Sequence, residues 1–247
     1  MYKETIRVVG RRLSWGRIGS GPPLLLVNGY AATGADWDPD FLAALAEGRE
    51  VICPDNRGMG ESDLGAEPLT VDAIAADLRA VLVAAGVEAC PVVGWSMGGF
   101  AAQRLAETAP EMVSALALIA TDPGGPAAAT ADPGDWARLT DPSGSPREQA
   151  SRLISLLFPP PQAEEIDRQF GGVVAAARAE LSPPAQRPPT VVLHGAEDRV
   201  IPAANAEPLA ERWGAAGPEI FDGCGHAVMA QQPAAVASML RELFAGV

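Results

Sequence analysis

Three kinds of residue in this chain suit acyl transfer: a serine set among glycines, one of only two histidines, and an aspartate just past an apolar run. Ser96 lies in Gly94-Trp95-Ser96-Met97-Gly98-Gly99, after the apolar pair Val92-Val93 and before an alanine-rich helical pattern. A serine at a strand-to-helix turn is held in a strained backbone conformation. A side chain at Gly94 or Gly98 would collide with neighbouring backbone, so only glycine fits there. The turn lifts the Ser96 hydroxyl clear of the sheet edge, beside free N–H groups at a helix N-terminus where negative charge is stabilised. Those are the surroundings an acyl-transfer nucleophile requires.

A serine hydroxyl attacks a carbonyl poorly until a base takes its proton. The histidines are His194 and His226. His226, in Asp222-Gly223-Cys224-Gly225-His226-Ala227, sits in a glycine-flanked loop after the last apolar strand pattern and reads as the base. His194, in Leu193-His194-Gly195, reads as a strand-end histidine hydrogen-bonded in the core. The base needs a carboxylate to set its tautomer and stabilise its cation. Asp198, in Gly195-Ala196-Glu197-Asp198-Arg199-Val200-Ile201-Pro202, follows the penultimate strand and is the favoured acid; Asp122 is the second candidate. Backbone donors for an oxyanion are expected from the residue after the nucleophile, Met97, and from Tyr30, which follows Asn28-Gly29.

These residues need strands to end beside one another. Thr5–Val9 and Arg12–Ile18 read as short strands around a Gly10-Arg11 turn. The unbroken apolar run Pro23–Val27 suits a strand buried on both faces of a parallel sheet. Asp36, or the turn near it, is expected to cap a helix through Phe41–Ala46. Glu50–Pro54 is the next strand, followed by the polar turn Asp55-Asn56-Arg57-Gly58-Met59-Gly60-Glu61-Ser62. Thr70–Ala85 has helical periodicity, with Thr70 as N-cap and Gly86 as the stop. A helix from Met97 to about Thr108 and a strand over Val113–Ala120 continue the alternation, which means a parallel sheet covered by helices on both faces. From 122 to 188 the pattern gives way to proline, glycine and two amphipathic segments, near Pro146–Phe158 and Gln162–Leu181. A stretch of this length is too long for a plain loop and is expected to form a helical lid. The sheet pattern returns at Thr190–His194, followed by a helix over 203–213, a strand over 218–222 and a helix over about Gln232–Phe244.

Composition narrows the possibilities. The 247 residues suit one large domain with an insertion, and 48% hydrophobic against 20% charged residues is ordinary for a globular protein. A net charge of −13 argues against nucleic acid and anionic membrane surfaces as partners. Cys53, Cys90 and Cys224 show neither a disulfide framework nor a zinc spacing and read as buried thiols of a reducing, cytoplasmic setting. The N-terminus lacks an apolar signal core, and no apolar run reaches the length of a transmembrane helix.

The motifs at Asn28–Tyr30, Asp55–Ser62, Gly94–Gly99, Gly195–Pro202 and Gly223–His226 resemble, in order and spacing, those of the α/β-hydrolase superfamily, and most of all its compact bacterial esterase and lactonase members. The resemblance implies an α/β-hydrolase fold with a mostly parallel central sheet, a core of residues 1–121 and 189–247, and a short lid over 122–188 before the last two strands. It implies a triad of Ser96, Asp198 and His226, with the Tyr30 and Met97 amides at the oxyanion. The implied reaction is hydrolysis of a small carboxylic ester or lactone, with no cofactor and no metal. Cofactor-free haloperoxidase or perhydrolase chemistry on the same triad is the nearest alternative, and a weakly active binding protein on the scaffold another. The chain departs from most relatives in having Asn28-Gly29 for His-Gly and in its short lid. Trp37, Trp95, Trp136, Leu153, Leu157 and Phe158 are candidates to line an apolar pocket.

Overall fold

The computed structural model describes residues 2–245 other than 9, 30–31, 67–68, 126–127, 142, 145–147, 149–151, 153–154 and 157–182. Eight strands form one sheet: β1 (Tyr2–Val8), β2 (Arg11–Gly19), β3 (Pro23–Val27), β4 (Glu50–Pro54), β5 (Cys90–Trp95), β6 (Val113–Ile119), β7 (Thr190–Gly195) and β8 (Pro218–Phe221). Their spatial order is β1-β2-β4-β3-β5-β6-β7-β8. The first hairpin runs antiparallel to itself and to β4, and every pairing from β4 across to β8 is parallel. The sheet is therefore mostly parallel, as the alternation of elements requires.

Both faces of that sheet are buried, which explains why its strands lack alternation. Leu25, Val27, Ile52 and Val92 face one core layer, covered by α2 (Val71–Ala84), α3 (Met97–Thr108) and α5 (Ala206–Trp213). Leu24, Leu26, Val51 and Val93 face the other, covered by α1 (Pro39–Ala46) and α7 (Pro233–Phe244). Neighbours in sequence thus serve opposite layers, and every position along β3 from Leu24 to Val27 has to be apolar.

The helix ends follow local chemistry. Thr70 caps α2, its hydroxyl accepting from the Ala73 amide at 3.1 Å, and Gly86 lies just beyond with φ 74°. Asp38, not Asp36, caps α1: its carboxylate accepts from Asp40 and Phe41 at 3.1 and 2.9 Å, and Pro39 occupies the first turn. Asp36 instead accepts from the Thr33 amide and hydroxyl. One helix, α4 (Pro133–Thr140), lies where the sequence reads only as proline- and glycine-rich. Asp132 caps it and Pro133 opens it, a favourable pair that the surrounding glycine and proline obscure. The helix read over 203–213 opens with a 3-10 turn, and a short α6 (Val228–Gln231) precedes α7. The two amphipathic segments read after α4 fall largely outside the described residues. Among the described residues no helix is long and apolar enough to cross a membrane.

Candidate active site

Parallel pairing brings the C-terminal ends of the central strands to one edge, where Val27 pairs with Gly94, Trp95 with Ile119, Ile119 with Leu193, and Gly195 with Phe221. The loops carrying Asn28, Ser96, Asp198 and His226 all leave from that edge, the usual place for a site in an open α/β sheet.

Ser96 adopts φ 54° and ψ −121° between β5 and α3. Among the described residues only Ser96 and Ala120 combine a side chain with positive φ. The strain is held by backbone bonds. The Ser96 amide donates to Ile119 at 3.0 Å, and its carbonyl accepts from the Gly99 amide at 2.8 Å and the Thr121 hydroxyl at 2.9 Å. A Cβ on Gly94 would lie 2.5 Å from the Gly98 carbonyl oxygen, and one on Gly98 would lie 2.2 Å from that of Val27, so no side chain fits at either. Met97 opens α3, where an amide has no carbonyl one turn earlier to receive it.

The loop after β3 touches this turn, since a Cβ on Gly29 would stand 3.4 Å from the Ser96 Cβ. Asn56 tethers that loop, its side-chain amide donating to the Asn28 and Gly29 carbonyls at 3.0 and 3.1 Å. Asn28 is itself buried, with its amide 3.5 Å from the Pro54 carbonyl. The turn from Asp55 to Ser62 is thereby tied to the site. The Asp55 carboxylate accepts from the Gly34 amide at 2.9 Å and from the Glu61 amide at 3.1 Å, bracing both loops. Nothing in the local sequence of Asn56 signals this role. Tyr30 lies outside the described residues.

Asp198 and His226 meet at the far end of the same edge. The His226 Nδ1 lies 2.7 Å from Asp198 Oδ2, and both side chains are buried. The loops that present them are stitched together: the Glu197 amide donates to the Cys224 carbonyl at 2.8 Å and the Ala196 amide to Phe221 at 3.0 Å. Asp198 Oδ1 accepts from the Val200 and Ile201 amides, both at 2.9 Å. Burial alone would push this carboxyl up. The charge of His226, with hydrogen bonds from His194 and His226, outweighs burial and holds it down to about 2. His194 reaches the same carboxylate, a contact its reading as an ordinary core histidine does not include. Asp122 is engaged elsewhere, with Oδ1 accepting from the Gly124 amide at 2.7 Å.

Trp95 links the serine turn to the histidine loop. Its indole N–H donates to the His226 carbonyl at 2.9 Å, and its ring lies 5.6 Å from the imidazole and 6.0 Å from Trp37, centroid to centroid. Trp37 and Trp95 are thus brought together, whereas Trp136 stands on α4 with 39% of its surface exposed. Leu153, Leu157 and Phe158 lie outside the described residues. Next to Trp136, Asp135 forms a two-point ion pair with Arg199, one bond at 2.9 Å, which joins α4 to the residue after Asp198. The three cysteines are buried free thiols, and burial pushes Cys53 and Cys90 up to about 12. Among the described residues no group of three or more His, Cys, Asp or Glu is placed to hold a metal ion.

Comparison with known proteins agrees with this architecture. The crystal structure of the esterase RhEst1 from Rhodococcus sp. ECU1013 is similar with a TM-score of 0.82 over 99% of both chains, at 23% identity. A Mycobacterium tuberculosis protein (strain CDC 1551 / Oshkosh), named provisionally as the non-heme bromoperoxidase BpoC, is 39% identical over 104 residues, 42% of this chain and 39% of the relative. A provisionally named carbamate hydrolase, RutD of Azorhizobium caulinodans, is 38% identical over 101 residues, 41% of this chain and 38% of the relative. The matches thus span less than half the length of these curated relatives. The sequence profile of the alpha/beta hydrolase family, by contrast, matches residues 24–239, from β3 into α7. The chain belongs to the alpha/beta hydrolase family.

Proposed function

We propose that this chain is a serine hydrolase that cleaves a carboxylic ester or lactone through an acyl-enzyme on Ser96. The observation that carries this reading is the buried 2.7 Å contact between His226 Nδ1 and Asp198 Oδ2, on the sheet edge that also bears Ser96 in its positive-φ turn. Asp198 holds the imidazole with Nε2 unprotonated, free to take the Ser96 proton. Ser96 attacks the carbonyl, and the Met97 and Tyr30 amides receive the developing oxyanion. His226 then protonates the leaving alkoxide and, in a second round, activates the water that releases the acid. Two protons pass through His226: that of Ser96 leaves with the alcohol as the acyl bond forms, and one from water returns to Ser96 as the acid departs. Residues 122–188 act as the cap over the acyl and alcohol sides, with Trp37 and Trp95 as apolar lining.

The name of the relative RutD, a hydrolase of carbamates, supports acyl transfer to water. The name of BpoC supports a second reading, in which peroxide replaces water as the acyl acceptor. A fluorophosphonate probe and a series of short-chain nitrophenyl esters test the first reading. Labelling of Ser96, with turnover abolished in a folded Ser96→Ala variant, is the expected result. Unlabelled Ser96 would leave a binding protein on this scaffold. Peroxide-dependent halogenation at rates above ester cleavage would favour the second reading.

A further inference from the structure

We propose that His194 is a positioning residue that holds the Asp198 carboxylate in register for His226, a role that rests on the hydrolase reading above. His194 is the penultimate residue of β7 and is fully buried. Its Nε2 lies 2.8 Å from the Ile201 carbonyl oxygen and 3.1 Å from Asp198 Oδ2. Both neighbours are acceptors, so the ring proton resides on Nε2 and is shared between them. In the neutral ring Nδ1 then has only a lone pair, and this buried atom has no hydrogen-bond partner.

That unpartnered nitrogen separates a positioning role from simple space-filling. A buried acceptor without a donor is a net cost, one that an apolar side chain of similar shape avoids. What the imidazole supplies in return is a closed ring of bonds. His194 Nε2–H donates to the Ile201 carbonyl; the Ile201 amide donates to Asp198 Oδ1 at 2.9 Å; and Asp198 Oδ2 lies against His194 again. The turn from 198 to 201 cannot rotate the carboxylate without breaking this ring. Oδ2 thus receives donors from two imidazoles, those of His226 and His194. His194 touches no reacting atom and acts through Asp198 alone.

The chain contains only two histidines, so ring-15N labelling yields two imidazoles to assign. The expected spectrum of the folded protein at pH 8 has one ring protonated on Nε2, His194, and one on Nδ1, His226. A His194 ring protonated on Nδ1 overturns the proposal in the wild-type protein itself, with no variant needed. His194→Leu removes the donor, and His194→Gln restores an N–H at the Nε2 position. His194→Leu is expected to lower kcat by about 10- to 100-fold with KM within about twofold, and to move the His226 Nδ1–H proton resonance; His194→Gln is expected to recover most of kcat and the wild-type resonance. An unchanged resonance and kcat in His194→Leu, or equal losses in the two variants, would show packing alone. The resonance needs no turnover. Wild-type protein unlabelled by fluorophosphonate would therefore sink the hydrolase reading, while the spectra decide on His194 independently.

Discussion

Ser96 sits at φ 54°, a conformation that costs a side-chain-bearing residue energy and that several backbone bonds sustain. Its glycine neighbours are as constrained as the serine. A Cβ on Gly98 would press to 2.2 Å from the Val27 carbonyl, so Gly98→Ala is expected to destabilise the protein by about 3 kcal/mol, read as a lowered urea midpoint. Asp198 makes a prediction of a different kind. Its carboxyl is held at about 2, below the ordinary 3.8, so the ionised form stabilises the folded state at every pH above about 3.8. That contribution disappears as pH falls from 3.8 toward 2 and the folded protein takes up the proton. Asp198→Asn lacks it throughout. The stability difference between wild type and Asp198→Asn is expected to shrink across that acidic window, as followed by circular dichroism. The same variant is expected to lose about 10⁴ in kcat, because a carboxamide no longer sets the His226 tautomer.

The elements show which parts of the site sequence can reveal. β3 and β5 are legible because strands buried on both faces must be continuously apolar, and the α2 cap is legible because Thr70 acts on its own helix. Ser96, Asp198 and His226 stand out for a similar local reason, each in a glycine-containing turn shortly after a strand. Features that depend on distant partners are not legible. Asn56 looks like any polar turn residue until folding places its amide on the Asn28 and Gly29 carbonyls. His194 reads as core until β7 and the turn after it enclose Asp198 from behind. The α1 cap falls on Asp38 and not Asp36 because Pro39 opens the first turn immediately after it, a choice that two nearby aspartates leave ambiguous in sequence. Asn56→Ala is expected to release the loop after β3, lowering kcat on a nitrophenyl ester about tenfold and stability by about 1–3 kcal/mol in urea unfolding.

At the scale of the molecule, the family profile reaches from β3 into α7, and the observed sheet is the mostly parallel one that the alternation of apolar runs requires. Substrate choice is not legible, because the amphipathic segments between 122 and 188 carry no motif that names a ligand. One contact of this region is defined: Asp135 on α4 grips Arg199, the residue after Asp198. Arg199 is well exposed, so the pair contributes under about 1 kcal/mol to stability. Its position is another matter, since it joins α4 to the loop that carries the Asp198 carboxylate. Arg199→Ala is expected to leave the melting temperature nearly unchanged while altering the relative kcat/KM of short and long acyl esters by several-fold. An unaltered chain-length profile would show that α4 does not govern access.

The indole of Trp95, tilted beside the His226 ring and bonded to its carbonyl, makes the protein its own optical gauge. An excited indole is quenched by electron transfer to a nearby imidazolium far more than to a neutral imidazole. The emission lost on replacing Trp95 with phenylalanine therefore isolates a fluorophore whose brightness follows the charge on His226. On the proposed mechanism that signal, read in a stopped-flow instrument, would follow the charge on His226 during turnover of an unmodified ester, with no added label.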